Sequence, residues 1–121
     1  MPELPELTAF EVAQQVRQRE LSPVTLVESL LQHIDRLEPR LQAWVTLDRS
    51  GALATAQQLA EEAQRGSIRG PLHGVPIGIK DIYFTAGLKT TCGSRIFTDH
   101  VPSYDATTVA RLRQAGSRES A

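Results

Sequence analysis

The sequence predicts an α/β fold, because helical and strand-like hydrophobic patterns alternate along the chain. Several segments repeat apolar residues every three or four positions, which is typical of one face of an amphipathic helix. Two shorter segments alternate apolar with other residues, as strands do. The predicted order is helix, helix, strand, helix, strand, loop, helix, with no internal repeat.

Two amphipathic helices are predicted at the start of the chain. The first covers Leu7 to Glu20, and Thr8 is its candidate N-terminal cap. The second begins at Ser22-Pro23, because serine favours the cap position and proline the first turn. We expect it to end before Pro39, since a proline in a helix interior removes a hydrogen bond. Its apolar stripe consists of Val24, Val27, Leu30, Leu31, Ile34 and Leu37.

The next two predicted elements are a strand and a third helix. Leu41 to Leu47 alternate apolar and polar side chains, which predicts a strand with Trp44 on its more polar face. Asp48 is placed to cap a helix that runs through Gln64, and Gly66 supplies a C-terminal stop. The packed side of this helix is rich in alanine, so we expect a close approach to a neighbour.

A second strand is predicted from Val75 to Ile79, after a loop rich in glycine and proline. With a period of two, one face carries Val75, Ile77 and Ile79, and the other carries Pro76, Gly78 and Lys80. Since Gly78 has no side chain, we expect space beside Lys80. The lysine is then either a charge that reaches solvent or a desolvated amine that acts as a base near neutral pH.

The last predicted helix begins after Asp105, its candidate cap, and ends near Gly116. Its short apolar stripe contains Val109 and Leu112. This helix completes the pattern of an α/β protein.

Composition indicates a globular protein. Of its 121 residues, 40% are hydrophobic and 22% are charged, and the net charge of −1 gives no reason to expect nucleic-acid binding. No segment is apolar enough for a membrane span or a secretory signal, so we expect a cytoplasmic protein. One cysteine permits no internal disulfide, and three scattered histidines predict neither a metal site nor a cofactor.

Three blocks of the sequence resemble the amidase signature family. They are GPLHGVPIGIKD at 70–81, GLKTTCGS at 87–94 and YDATTVARL at 104–112. The resemblance is strong over residues 68 to 116, and residues 23 to 66 are similar to the family's more variable helices. It implies a mixed sheet covered by helices, of which this chain holds the N-terminal helices and the first strands, and it matches Lys80 to the catalytic lysine.

The resemblance further implies an enzyme that hydrolyses carbon–nitrogen amide bonds by a Ser-cisSer-Lys mechanism. Both serines of the family lie in a Gly/Ser-rich segment, and these 121 residues contain no such run. We therefore expect an incomplete amidase domain, with a helical part at 1–66, a strand-and-loop part at 67–116 and a divergent tail at 117–121. Because Lys80 is the only member of the triad present, we expect no activity from this piece alone.

A polar turn is the second candidate for the site. It consists of Thr91, Cys92, Gly93 and Ser94, in a loop that begins at Thr90. The resemblance implies that this turn borders the substrate pocket, whereas turn chemistry alone also accounts for such residues. Asp81 is expected to support the end of the strand, because adjacent strand residues face opposite ways and Asp81 would not reach Lys80. Cys92 is either a small packed residue or a reactive thiol.

Three neighbouring residues have simpler interpretations. His73 precedes a glycine in a loop and is expected to be a surface or turn residue. Tyr83 and Phe84 follow the strand and either line the substrate pocket or belong to the core.

Three hypotheses on function remain. The first is a piece of an amidase that acts on a small-molecule amide, with the glutaminase subunit of a tRNA-dependent amidotransferase as the alternative, which implies other subunits as partners. The second is an interaction module that pairs with a chain carrying the serines. The third is a non-functional remnant, whose exposed strands and helix faces would favour aggregation.

Overall fold

The structure is a computed structural model that describes residues 3–119. Helices dominate this range: α1 (Ala9–Arg17), α2 (Pro23–Leu41), α3 (Arg49–Gln64) and α4 (Thr107–Gln114). Two short strands, β1 (Pro76–Ile77) and β2 (Arg118–Glu119), pair in parallel. Single 3-10 turns lie at Leu4–Glu6 and Arg95–Phe97.

The predicted start of α1 is confirmed. The Thr8 hydroxyl accepts a hydrogen bond from the Glu11 N–H at 3.1 Å, and the Glu11 carboxylate accepts one from the Thr8 N–H at 2.8 Å. This reciprocal pair satisfies two amides that have no partner within the helix. Along its inner face α1 buries Val12, Ala13 and Val16.

Helix α2 begins as predicted but ends later. Ser22 accepts a hydrogen bond from the Val24 N–H at 3.2 Å, and Pro23 occupies the first turn. The prediction that Pro39 ends the helix is wrong, because Pro39 lies within α2. Pro39 lies two residues before the end of α2, where it removes one hydrogen bond while its fixed φ is still compatible with a helix. Gln42 then ends α2 in a left-handed conformation, at φ 46°.

The predicted strand from Leu41 to Leu47 is also wrong. Leu41 is the last residue of α2, and residues 42–48 form an irregular connection. The carboxylate of Glu38 accepts hydrogen bonds from the N–H groups of Ala43, at 2.6 Å, and Trp44, at 2.9 Å. These amides are therefore occupied by a side chain and cannot pair with a neighbouring strand.

Helix α3 packs against α2 through small residues, as predicted. Asp48 caps the helix by accepting a hydrogen bond from the Gly51 N–H at 3.1 Å. The contact with α2 joins two alanines to two larger apolar residues of α2, and all four are buried. They are Ala52, Ala56, Val27 and Leu31. Gly66, with φ 74°, follows the end of α3 and confirms the predicted stop.

A second group of buried residues joins the helices to β1. It consists of Val12, Ala13, Val16, Leu21, Leu26, Ala63 and Val75. The core therefore lies between the N-terminal helices and the start of the strand that leads to Lys80.

Strand β1 is shorter than predicted. Of the predicted Val75–Ile79 segment, only Pro76 and Ile77 pair with β2, opposite Arg118 and Glu119. Val75 is buried and Ile77 is half-buried, whereas Gly78 and Lys80 are exposed. Two strands of two residues each are the only sheet within residues 3–119, so the mixed sheet implied by the resemblance is not seen in this part of the chain.

The predicted cap of the last helix is wrong. Ala106 precedes α4, and no side chain caps it. Asp105 instead accepts a hydrogen bond from the Ala86 N–H at 2.8 Å and forms an ion pair with Arg113 at 3.0 Å. Arg113 attaches the loop before α4 to the helix, and Ala86 attaches it to the loop that follows Lys80.

The segment after α4 returns to β1. Gly116 takes φ 96°, and its carbonyl accepts a hydrogen bond from the Gly74 N–H at 3.1 Å. Ser117 is buried, and its hydroxyl donates to the Val75 carbonyl at 2.7 Å. Residues 117–119 are thus attached to the strand that leads to Lys80, and the last two residues of the predicted 117–121 tail lie outside the described residues.

His73 is in a turn, but it is buried and not at the surface. Its Nδ1 accepts a hydrogen bond from the Arg69 N–H at 3.1 Å, so Nε2 carries the proton and donates to the Leu59 carbonyl at 2.9 Å. The imidazole therefore joins the loop before β1 to α3.

Candidate active site

Lys80 lines a cleft of about 450 Å³. The connection after α2 contributes residues 43–46 to this cleft, the segment after β1 contributes residues 78–81, and the following loop contributes Tyr83, Thr85, Lys89 and Thr90. The lysine is exposed, and no other residue within 3–119 hydrogen-bonds or ion-pairs with its amine. Of the two interpretations of Lys80, these residues therefore agree with the one in which the amine reaches solvent.

The backbone turns sharply directly after Lys80. The Lys80 carbonyl accepts hydrogen bonds from the N–H groups of Ile82, at 2.7 Å, and Tyr83, at 3.1 Å. This turn directs the chain away from β1 and places Tyr83 on the cleft, while Phe84 packs against His100 and Tyr104. The two aromatic residues after the strand therefore lie in different places, one at the cleft and one in an aromatic cluster.

Trp44 occupies space that the sequence left beside Lys80. A Cβ at Gly78 would lie 3.1 Å from the Trp44 ring, so the absence of a side chain at this position admits the indole. Trp44 belongs to the connection after α2, which sequence patterns place in a strand. The missing side chain at Gly78 is the only sequence signal for this contact, and it does not say which residue fills the space.

Asp81 holds the predicted polar turn next to the lysine. Its Oδ1 accepts a hydrogen bond from the Thr91 N–H at 2.8 Å, its Oδ2 accepts one from the Thr91 hydroxyl, and its carbonyl accepts one from the Cys92 N–H at 2.9 Å. Asp81 therefore supports the structure next to Lys80, as predicted, and no ion pair between these two residues is found within the described range.

The four residues of the polar turn lie beside the cleft and are absent from its lining. Cys92 is exposed with φ 54°, so it is not the packed residue that one interpretation expected. Gly93 also has a positive φ, of 69°. The turn reaches the cleft through Thr90, which precedes it, lines the cleft and is 1% exposed.

Charges in the cleft come from two lysines and one carboxylate. Lys89 faces Asp99, with 3.8 Å between the amine and a carboxylate oxygen, and Asp81 is bonded to Thr91. Lys80 is thus the cleft cation without such a partner in the described part of the chain. Sequence patterns missed Lys89 and Thr85, because only the folded loop brings them into the same cleft as Lys80, whereas Thr90 belongs to the loop that was predicted to border the pocket.

Two other kinds of feature are absent from residues 3–119. No group of three or more His, Cys, Asp or Glu side chains in this range could hold a metal ion. None of the helices there has the length and hydrophobicity to cross a membrane.

Comparison with known proteins decides the family. A family model described as Amidase matches residues 25–118. The chain belongs to the amidase family. The resemblance that was based on three sequence blocks is therefore confirmed.

Relatives of this amidase-family chain include enzymes of different types. A glutamyl-tRNA(Gln) amidotransferase subunit of Carboxydothermus hydrogenoformans is 41% identical over 115 residues, which are 95% of this chain and 24% of that protein. The crystal structure of the peptide amidase of Stenotrophomonas maltophilia is 34% identical, with a TM-score of 0.88, over 97% of this chain and 25% of that chain.

A bacterial aryl acylamidase of the amidase signature family matches with a TM-score of 0.85 and 26% identity, over 93% of this chain and 24% of its own. The present chain thus spans about a quarter of the length of the relatives it matches. The α/β class is supported by these structural relatives.

Proposed function

We propose that this chain supplies the lysine-bearing part of an amide-hydrolysing active site, in which Lys80 is the base. The observation that carries the proposal is the position of Lys80, whose exposed amine follows β1 and lines a cleft of about 450 Å³ without a partner among residues 3–119. Family membership and the match of the block that contains Lys80 support the same role.

The chemistry requires groups beyond these 121 residues. A serine hydroxyl is a weak nucleophile until a base accepts its proton, and a lysine amine can do so once the rest of the active site covers and desolvates it. In the proposed mechanism the proton passes from the nucleophilic serine through a second serine to Lys80, and returns to the departing amine. Water then cleaves the acyl-enzyme ester, and backbone N–H groups stabilise each oxyanion by roughly 3 kcal/mol per donor.

The proposal also gives different roles to the two parts of the chain. Residues 67–116 carry Lys80 and most of the cleft, while the described residues before them, 3–66, support it and add the wall around Trp44. A polypeptide of residues 1–121 alone is expected to be inactive, because the proposed nucleophile is not among them.

The test is complementation. This chain is purified and mixed with a polypeptide that supplies the remaining portion of a relative, and hydrolysis of a simple aryl amide is followed. We expect activity in the mixture only. Lys80→Ala should lower it by roughly 10²- to 10⁴-fold, the usual contribution of a positioned base.

Lys89 is the matched control, because it is the only other lysine of the chain and lines the same cleft. Lys89→Ala is expected to retain most of the hydrolysis, since this amine faces Asp99 at 3.8 Å. Equal losses in the two variants would contradict the proposed role of Lys80. A mixture that folds, as judged by circular dichroism, and still hydrolyses nothing would contradict the proposed function as a whole.

A second candidate is the glutaminase subunit of a tRNA-dependent amidotransferase, with other subunits as partners. It is supported by the 41% identity to a glutamyl-tRNA(Gln) amidotransferase subunit. The two candidates differ in substrate. Release of ammonia from glutamine by the complemented enzyme, without hydrolysis of the aryl amide, would favour the amidotransferase.

A further inference from the structure

Asp81 uses three oxygen atoms to bind the polar turn at residues 91–94. Both carboxylate oxygens accept hydrogen bonds from Thr91, one from its N–H at 2.8 Å and one from its hydroxyl, while the Asp81 carbonyl accepts from the Cys92 N–H at 2.9 Å. Hydrogen bonds to a charged acceptor are about twice as strong as neutral ones. The turn is therefore attached to the residue that follows Lys80.

The turn is also organised within itself. The Ser94 N–H donates to the Thr91 carbonyl at 2.9 Å, and the Gly93 N–H donates to the Thr91 hydroxyl at 3.3 Å. Thr91 is thus the common partner of Asp81 and of the rest of the turn. Immediately before it, Thr90 is buried on the cleft and its N–H donates to the His100 carbonyl at 2.9 Å.

We propose that Asp81 is a positioning residue that fixes the 91–94 turn against the segment after β1, which carries Lys80, and thereby sets the cleft wall at Thr90. Lys80 and Thr90 both line the cleft, and the Asp81–Thr91 contact joins their sequence neighbours. A change in this contact is therefore expected to change the separation of Lys80 and Thr90 within the cleft. The consequence for hydrolysis rests on the proposed function.

Counter-ion pairing with Lys80 is the competing explanation for an aspartate at position 81. Both oxygens of this carboxylate are engaged by Thr91, and no ion pair joins it to Lys80 within the described range. The two explanations predict different behaviour of Asp81→Asn. An asparagine keeps an oxygen for the Thr91 N–H and an amide for the Thr91 hydroxyl, but it cannot pair with an ammonium group.

The first test measures amide hydrogen exchange in the 121-residue chain and does not require activity. In Asp81→Ala we expect amide exchange to accelerate roughly tenfold or more at Thr91, Cys92 and Ser94. The amides of Cys92 and Ser94 bond the backbone carbonyls of Asp81 and Thr91, which the substitution leaves in place. Amides of α3 serve as the internal standard. Asp99→Ala is the control, because the Asp99 side chain is 92% exposed.

Faster exchange at Thr91 alone would overturn the proposal, because it would mean that Asp81 makes a local bond and does not hold the turn. Uniform acceleration that includes α3 would overturn it as well, since Asp81 would then act on global stability. Asp81→Asn should fall between the wild type and Asp81→Ala at all three amides.

The second test is a double-mutant cycle on kcat and KM in the complemented enzyme. If Asp81 acts through Thr91, the variant with both Asp81→Ala and Thr91→Val should match Asp81→Ala within about twofold, because residues that act as a unit are not additive. Asp81→Asn should recover part of the loss. Effects that multiply, or an Asp81→Asn variant as impaired as Asp81→Ala, would contradict the proposal.

Hydrogen exchange and the double-mutant cycle together distinguish a failure of the Asp81 proposal from a failure of the proposed function. If the wild-type mixture is inactive, the proposed function fails, and hydrogen exchange still decides whether Asp81 positions the turn.

Discussion

Replacing Gly116 by alanine should destabilise the return of the chain from α4 to β1. Gly116 has φ 96°, a conformation that side chains disfavour. A Cβ there would lie 2.7 Å from the Cα of His73 and 2.8 Å from its backbone nitrogen. Since the opposing atoms are backbone, they cannot rotate away as the end of a flexible side chain does. Both strain and steric overlap therefore oppose the substitution.

The magnitude follows from these two contributions. A left-handed backbone costs an alanine about 1–2 kcal/mol, and overpacking adds about 1–3 kcal/mol, so Gly116→Ala should lose about 2–5 kcal/mol of unfolding free energy. Gly66→Ala is the matched control. Gly66 has φ 74°, but no atom lies within 4 Å of its ideal Cβ, so only the first contribution applies.

Urea-induced unfolding measures both variants. Far-UV circular dichroism reports the helices, and the fluorescence of Trp44, the single tryptophan, reports the region beside Gly78. We expect Gly116→Ala to be about 1–3 kcal/mol less stable than Gly66→Ala. Two variants that agree within about 0.5 kcal/mol would refute the reasoning, because the short contact with His73 would then cost nothing.

Two further predictions concern the helices. The hydrogen bond from Arg69 holds the pKa of Glu62 below its ordinary value, so this carboxylate stabilises the fold at pH above that value and the effect is lost as pH falls through the lowered pKa. Glu62→Gln should therefore reduce the loss of stability on acidification, measured as urea midpoints at neutral and acidic pH. Glu61→Gln is the control, because the Glu61 carboxylate accepts a hydrogen bond from Gln57 and not from an arginine. An unchanged dependence of stability on pH in Glu62→Gln would contradict this prediction. Leu26 is 1% exposed in the core, so Leu26→Ala should lower the free energy of unfolding in urea by about 2–5 kcal/mol. Phe10 is 76% exposed, so Phe10→Ala should change it by no more than about 0.5 kcal/mol. Similar losses in the two variants would contradict the assigned core.

Sequence patterns predicted the caps of α1, α2 and α3, because helix capping is local. Thr8, Ser22 and Asp48 each accept a hydrogen bond from an amide two or three residues along, so a short window of sequence contains the whole interaction. Val27 and Leu31, the buried members of the predicted α2 stripe, were found for the same reason, since the spacing of residues on one helix face is independent of distant contacts.

The errors arose where a side-chain hydrogen bond that the hydrophobic pattern does not show decides the structure. The Leu41–Leu47 pattern fits a strand, but Glu38 binds the amides of Ala43 and Trp44, and no strand within residues 3–119 pairs with this segment. Asp105 has the right residue type for a cap, but it bonds Ala86, which lies 19 residues away. Neither partner can be read from hydrophobic periodicity.

The candidate site was predicted in part. Lys80 was identified by its strand and its sequence block, and the supporting role of Asp81 was expected from strand geometry. The identity of the partner, Thr91, depends on a loop that closes over ten residues. Trp44 was assigned to the more polar face of a predicted strand, and its contact with Gly78 becomes visible only in the fold.

The return of the chain after α4 bears on the order of folding. Helices α2 and α3 are joined by the short connection at 42–48, whereas the bond from Ser117 to Val75 joins residues 42 positions apart. Closing a longer loop costs more conformational entropy, and contacts between distant residues slow folding. Since Lys80 lies inside this loop, we expect the cleft to form after the helices have packed, and to be sensitive to any change that weakens the attachment of Ser117 to β1.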